Sequence, residues 1–436
     1  MRVFLADPAL VDLKGHFFTY IQCLVGPFEK AGHTVHVLGN RRLIPEVAEG
    51  VGAVPSFTLG NDHQIQFTMG HQLAQVQQRH ELVREAVAGL PITPETLRHN
   101  AELRYATYDW LTAWQVDCWR DDLAQLDSRF GFTESDLFIV SSLHWPHLIG
   151  LVEWSLRRIQ DLGRQSLPRF VILLYASLLP KLVVDEARVR GFHHAFDLVT
   201  AAGLDQHFLV FTNSAPLKNE YQTITSLPIG VVPTPHTAPR LPDEGQSHAI
   251  PGLAFLGTAF RDRGFQFLPQ VVEHLMPAIA ADRIRVEIQA NLPPWNDPLL
   301  ESARDWLRAA PITLHEGSLP IEDYHDVFKR TDICVLPSLR NQYHSQSSGV
   351  FSEAVSFGKV VVVPDGTWMS MTADQYGIGV TFEAGNPASL CQAVQRAFDH
   401  LDMLGPRARL AAAEWIRINS PAGFISALAE RIPELI

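Results

Sequence analysis

The sequence predicts an α/β fold of two doubly wound parallel-sheet domains of similar size, facing each other across a cleft. Three observations carry this prediction. The chain opens on a strand, a helix and a second strand within about 35 residues, the span of a βαβ unit with a right-handed crossover. Short apolar strands ending in polar or small-residue loops recur along the chain. A stretch rich in Pro, Gly and polar residues separates two such series.

Arg2–Ala6 (RVFLA) is the first strand, and the polar loop Asp7–Gly15 follows it. His16–Ala31 reads as an amphipathic helix with Phe17, Ile21, Leu24 and Phe28 at helical spacing, stopped by Gly32. His33–Leu38 (HTVHVL) is the next strand. From about 61 to 125 the pattern turns helical, rich in Gln, His and Arg. There Trp110, Trp114 and Trp119 gather near one face, which reads as a packed core face rather than a ligand platform. Strands resume at Asp136–Val140, Arg169–Tyr175 and Phe208–Thr212. Residues 231–252 (VVPTPHTAPRLPDEGQSHAIPG) are the linker candidate. The second series has strands at Leu253–Leu256, Arg285–Gln289, Ile312–His315, Ile333–Leu336 and Lys359–Pro364, with helices at Phe265–Ala280 and Ser348–Phe357. Pro421–Ile436 reads as a terminal amphipathic helix. The expected domains are 1–235, with a helical insertion at about 61–125, then 236–415, with 416–436 crossing back to the first.

Composition sets limits on function. The 436 residues include 47 acidic and 35 basic side chains, a formal net charge of −12. That balance argues against a nucleic-acid partner, which needs a basic footprint, and against electrostatic docking on an anionic membrane. No apolar run is long enough for a membrane span, and the N-terminus lacks the apolar core and cleavage site of a signal peptide. The four cysteines are scattered without a C-x-x-C, so they are expected as buried thiols in a reducing cytoplasm.

Several chemistries are missing from the sequence. There is no G-x-x-x-x-G-K-[ST] loop, no G-x-G-x-x-G after a strand, no G-x-S-x-G elbow and no H-E-x-x-H. The 19 histidines do not assemble a metal spacing, and no D-x-D occurs. No metal and no cofactor are expected. A diphosphate here would be neutralised by Arg or Lys and by helix amides.

The strongest segment is Thr331–Pro364, TDICVLPSLRNQYHSQSSGVFSEAVSFGKVVVVP. A strand ends at Pro337–Ser338, and a polar loop leads to Ser347, Ser348, Gly349 and Val350 at a helix start. Unpaired amides there, together with the helix dipole, form an anion site. Glu353 lies about one turn inside, where it can accept from a ribose diol. The same residues also describe an ordinary N-capped helix with a dipole-compensating Glu.

This segment resembles the C-terminal signature of GT-B-fold glycosyltransferases, in particular the large retaining glycosyltransferase family four (group 1). Thr331–Ser338 and Glu353–Val363 match its A-D-x-x-x-x-P-S strand and L-E-A-x-x-x-G-x-P-V-V helix. Gly32–His33 followed by Val35 and Val37 is similar to its G-H-x-V-x-V, Gly257–Gly264 (GTAFRDRG) to its V-G-R-x-x-x-x-K-G, and Pro233–Pro235 to its V-I-P-N-P. The landmarks fall in order over nearly the whole chain. The implied fold is GT-B, with two Rossmann-like domains.

The resemblance implies roles residue by residue. Arg263 stands where the family has the Lys that grips the donor diphosphate. Thr258 stands at its other basic position, which leaves Arg261 as the substitute. Gly257 belongs to the same loop. Glu353 matches the second Glu of the family's spaced pair, the ribose ligand, and Gln346 replaces the first, which meets the donor sugar. The loop from Ser338 to Glu353 is longer than the family's, so Tyr343, His344 and Ser345 are further donor-side candidates. His144, after the strand Asp136–Val140, stands near the place of the family's His at the donor sugar's reactive face, with His147 second. Gly15 and His16 occupy the place of its first loop, on the acceptor side.

The implied activity is retaining, metal-independent transfer of a sugar from a nucleotide-diphosphate donor to a glycan or small-molecule acceptor. Two alternatives stand beside it: a GT-B protein that binds a sugar nucleotide or glycan without transfer, and a sugar-nucleotide epimerase. The expected location is cytoplasmic, without stable membrane insertion. The sequence carries no signal of oligomeric state, donor base or acceptor.

Overall fold

A computed structural model describes residues 1–13, 16–60, 73–179, 185–236 and 248–436. They fall into two compact units. The first takes in the described residues of Met1–Leu178, Val184–Pro235 and Phe424–Ile436, and the second those of His236–Gly423 with Leu179.

The first unit is built on β1 (Arg2–Ala6), β2 (Thr34–Asn40), β3 (Ala53–Phe57), β4 (Leu137–Val140), β5 (Arg169–Leu174), β6 (Phe208–Thr212) and β7 (Ile229–Val231). They form one parallel sheet in the order β3-β2-β1-β4-β5-β6-β7. Register aligns Phe4, Phe138, Phe170 and Phe208 across four neighbouring strands. Their ring centroids are 4.6, 5.4 and 5.1 Å apart, so the row forms an aromatic spine on one sheet face. The other face carries Val3, Leu5, Ile139, Val171 and Leu209, and Phe424, Ile425 and Leu428 of the helix Pro421–Ala429 cover it. That helix is shorter than the sequence predicts. It ends at Ala429, and a short 3₁₀ turn, Pro433–Leu435, follows, because Pro433 cannot extend a helix.

The second unit holds β8 (Gly252–Phe255), β9 (Arg285–Ala290), β10 (Thr313–Glu316), β11 (Ile333–Val335), β12 (Val360–Pro364) and β13 (Gly379–Phe382). Its parallel sheet runs β10-β9-β8-β11-β12-β13, the dinucleotide-type doubly wound order. Helices cover both faces, so β12 is buried along its whole length and its sequence, VVVVP, does not alternate. The expected helix Phe265–Ala280 begins as a 3₁₀ turn, Phe265–Phe267, before the α-helix Leu268–Ile279. Strands β3, β7 and β13 extend the pattern beyond the elements read from sequence.

Residues 61–72 of the expected insertion lie outside the described residues. Beyond them run the helices Leu73–Ala86, Pro94–His99, Ala101–Thr107 and Trp110–Phe130. Trp114 and Trp119 are buried and Trp110 is half-buried. The helix Trp145–Leu162 packs closely on Trp110–Phe130: a Cβ at Gly150 would stand 2.8 Å from the Val116 carbonyl oxygen. Among the described residues no helix is long and apolar enough to cross a membrane. All four cysteines are free thiols, with Cys334 buried and the other three half-buried.

Candidate functional site

In doubly wound sheets ligands settle outside the carboxyl ends of the strands, where the strand order reverses. In the second unit the reversal lies between β8 and β11, so the loops after those two strands are the place to look. They are stitched together. The Leu339 N–H donates to the Asp262 carbonyl at 2.7 Å. Gly264 has φ +75°, and a Cβ there would stand 1.9 Å from the Pro337 carbonyl oxygen, so only glycine fits. Gly257, φ +101°, donates its N–H to Gln289 Oε1 at 2.9 Å. A Cβ at Gly257 would meet Arg263 Nη1 and Val350 Cγ2, each at 3.2 Å. That bare backbone is therefore flanked by the Arg263 guanidinium on one side and the start of the helix Gly349–Ser356 on the other.

The helix start is capped by Ser348, whose Oγ accepts from the Phe351 N–H at 3.4 Å. One turn in, half-buried Glu353 accepts a 2.5 Å hydrogen bond from the Tyr324 hydroxyl, which the helix Ile321–Arg330 supplies. Burial raises the Glu353 carboxyl from its ordinary value to about 7, and the Tyr324 bond pulls it down. Burial also pushes the Tyr324 hydroxyl well above its usual range. The Glu353 charge adds to that rise and the Arg263 charge opposes it. Arg263, Tyr324 and Glu353 thus form one electrostatic group drawn from three elements. Tyr324 escaped the sequence reading.

Other candidates divide. Arg261 does not join Arg263: its guanidinium makes a bidentate pair with Asp297, at 2.7 Å to each oxygen, and Asp297 caps the helix Pro298–Ala309. Thr258 forms a parallel β-bridge with Asn291 just beyond the carboxyl ends of β8 and β9. Tyr343 is 7% exposed and belongs to the apolar core of its unit, so its ring packs rather than offering a binding face. Ser345 is buried with its Oγ 3.3 Å from His344 Nε2, and Gln346 and Ser347 are half-buried in the approach to the helix. Arg263 itself lies over Phe260, 5.7 Å from the ring centroid, and Phe260 stacks on exposed Trp295.

In the first unit the reversal lies between β1 and β4. His144 is the N-cap of the helix Trp145–Leu162, and its backbone N–H donates to His147 Nδ1 at 3.3 Å. His147 is 2% exposed and stacks on Trp119 at 4.9 Å, and burial holds its imidazole neutral. His147, second to His144 in the sequence reading, is thus held in helix packing. Gly15 and the side chain of His16 lie outside the described residues. The sequence reading also missed Asp7, at the end of β1. It is 1% exposed and accepts hydrogen bonds from Ser141 and Ser142, at the end of β4. Among the described residues, no three His, Cys, Asp or Glu side chains gather as a metal site.

No family model matches the sequence, and no curated protein matches it significantly. Solved structures do match the fold. Sucrose-phosphate synthase from Thermosynechococcus elongatus superposes with a TM-score of 0.64 at 12% identity, over 99% of this chain and 98% of that one. A glycosyltransferase from Rickettsia africae gives 0.61 at 10% identity, over 99% and 98% of the two chains. Anabaena HepE, crystallised with UDP, gives 0.58 at 13% identity, covering 99% of each chain. Across nearly the full length, this chain has the two-domain GT-B fold that these proteins share.

Proposed function

We propose that this protein is a glycosyltransferase that takes a sugar from a nucleotide-diphosphate donor and passes it, with retention and without a metal, to a hydroxyl of a glycan or small-molecule acceptor. The observation that carries the reading is the convergence of Arg263 and the Gly349–Ser356 helix start on the bare backbone of Gly257. A diphosphate lying there would meet a bidentate cation and the free amides of Ser348 to Val350 together. The negative charge that develops on the leaving diphosphate would be stabilised by groups already in place.

Glu353 takes the ribose diol in this reading and Gln346 the hydroxyls of the donor sugar. With Arg261 committed to Asp297, Arg263 is the cation of the clamp. In the first unit His144 serves the sugar's reactive face, and the helices from Leu73 to Phe130 shape acceptor choice. UDP in the HepE structure supports a nucleotide donor of this type.

The test is calorimetric binding of UDP, GDP, ADP and dTDP in the presence of EDTA, to the wild type, Arg263→Ala and Glu353→Ala. Micromolar binding of one nucleotide that both variants lose supports the donor site. If no nucleotide binds, the reading fails. Conversion of a sugar nucleotide to its epimer with no acceptor present would make the protein an epimerase instead.

A further inference from the structure

We propose that Asp7 is a positioning residue: its carboxylate ties the loop after β4, and with it His144, to the loop after β1. The inference rests on the reading that His144 works on substrate. Both carboxylate oxygens are engaged. One accepts from the Ala9 N–H at 2.9 Å, within its own loop. The other accepts from Ser141 Oγ at 2.8 Å and Ser142 Oγ at 3.2 Å, across the strand reversal.

The loop after β1 is itself anchored. Asp7 donates its N–H to the Leu38 carbonyl, Leu10 accepts from the Asn40 N–H, and Asn40 Nδ2 donates to the Pro8 carbonyl at 3.0 Å. The carboxylate is therefore a fixed point. The loop after β4 is what it restrains. Ser142 has φ +53°, a left-handed conformation that strains a residue with a Cβ. Such strain persists where surrounding bonds over-determine it, and it clusters at functional sites. Ser142 stands two residues before His144, so the backbone that Asp7 holds leads directly to the N-cap.

The surroundings make Asp7 expensive as mere scaffolding. Among the described residues no cation pairs with it. Tyr20 and Tyr175 face it, their hydroxyls 2.7 Å apart, with Cys23 close by; burial raises all three groups, which stay neutral. Burial likewise raises the Asp7 carboxyl to about 6. An unpaired buried carboxylate is a cost that a plain loop tie does not require.

The experiment uses full-length protein as wild type, Asp7→Asn, Ser142→Gly, His144→Ala and the Asp7→Asn/His144→Ala pair. One readout is the His144 imidazole signal in histidine-labelled NMR, assigned by its loss in His144→Ala. It needs no substrate. The other is nucleotide release from UDP-, GDP-, ADP- and dTDP-glucose. We expect Asp7→Asn to displace the His144 signal while that of His400, in the other unit, stays in place. We expect its kcat to fall roughly tenfold, with KM for the donor changed less than about twofold. The double variant should be no slower than His144→Ala alone, because residues that act through one another are not additive. Ser142→Gly, which adopts φ +53° freely, should keep the fold and show the same changes more weakly. An unmoved His144 signal in both Asp7→Asn and Ser142→Gly overturns the inference, as does additive loss in the double variant. Unchanged turnover in His144→Ala sinks the reading of His144 instead, and the NMR signal then still decides whether Asp7 sets its position.

Discussion

The Tyr324 hydroxyl donates to the Glu353 carboxylate, joining two helices through residues 29 apart in sequence. The bond engages one carboxylate oxygen, Oε2. It also favours the charged form, against burial that disfavours it. Tyr324→Phe should therefore push the Glu353 carboxyl above about 7, so that at neutral pH more of it is protonated. Nucleotide affinity should weaken by roughly 3- to 10-fold, the worth of about one net hydrogen bond. Its pH dependence should shift upward. Calorimetry between about pH 6 and pH 8.5 checks both. An unshifted pH profile would detach Tyr324 from the site.

The two arginines of the loop after β8 should behave differently. Arg263 flanks Gly257 and the helix start, whereas Arg261 is locked to Asp297. Arg263→Ala should cost roughly 10- to 100-fold in nucleoside-diphosphate affinity, the range of a charge-assisted contact, and far less for the bare nucleoside. Arg263→Lys should recover part of it, as a point charge without the fork. Arg261→Ala should leave binding near wild type and cost little stability, because the Arg261 side chain is exposed and its pair is screened by solvent. Equal losses in both variants would show that the loop as a whole, rather than one guanidinium, meets the anion.

Glycine substitutions test the framework of the same site. Gly264→Ala adds about 1–2 kcal/mol of left-handed backbone strain to a collision with the Pro337 carbonyl. The two loops must then part, so a lowered Tm and lost nucleotide binding are expected together. Gly349→Ala has open space around its new Cβ and sits at the first position of its helix. It should be tolerated or stabilise by up to roughly 1 kcal/mol. Thermal melts with and without UDP separate the two cases.

Much of this architecture was readable in advance, because apolar runs and glycine stops repeat with the periods of strands and helices. Nearly every strand placed from sequence lies within a residue or two of its position. The pairings within the site were not readable. Arg261 and Arg263 look alike along the chain, and what separates them is Asp297, 36 residues on from Arg261. Tyr324 sits on an amphipathic helix whose pattern reports burial, not the carboxylate it faces. His147 stood second to His144 as a match to the family's His, and the sequence carries no sign that it stacks on Trp119. Asp7 left a faint signal, since it and Ser141–Ser142 end neighbouring strands of the sheet. Only the strand order makes them adjacent.

Glu353 also sets a sign for stability against pH. Its folded value is about 7 against an ordinary 4.5, so between those values the folded chain holds more protons than the unfolded chain. Unfolding free energy therefore falls as pH rises through that window and levels off above it. Asp7, at about 6 against 3.8, contributes the same sign over a lower, overlapping window. Glu353→Gln removes the larger contribution while keeping the side chain's size and its ability to accept from Tyr324. Compared at about pH 8, the variant should be more stable than wild type by an amount of order 1–3 kcal/mol, and the gap should close towards about pH 5. Urea unfolding at the two pH values measures it. A gap that does not depend on pH would mean that Glu353 is charged at little cost. A gap that opens with pH, in a variant that has also lost nucleotide binding, would identify Glu353 as a residue kept for its ligand at the expense of the fold.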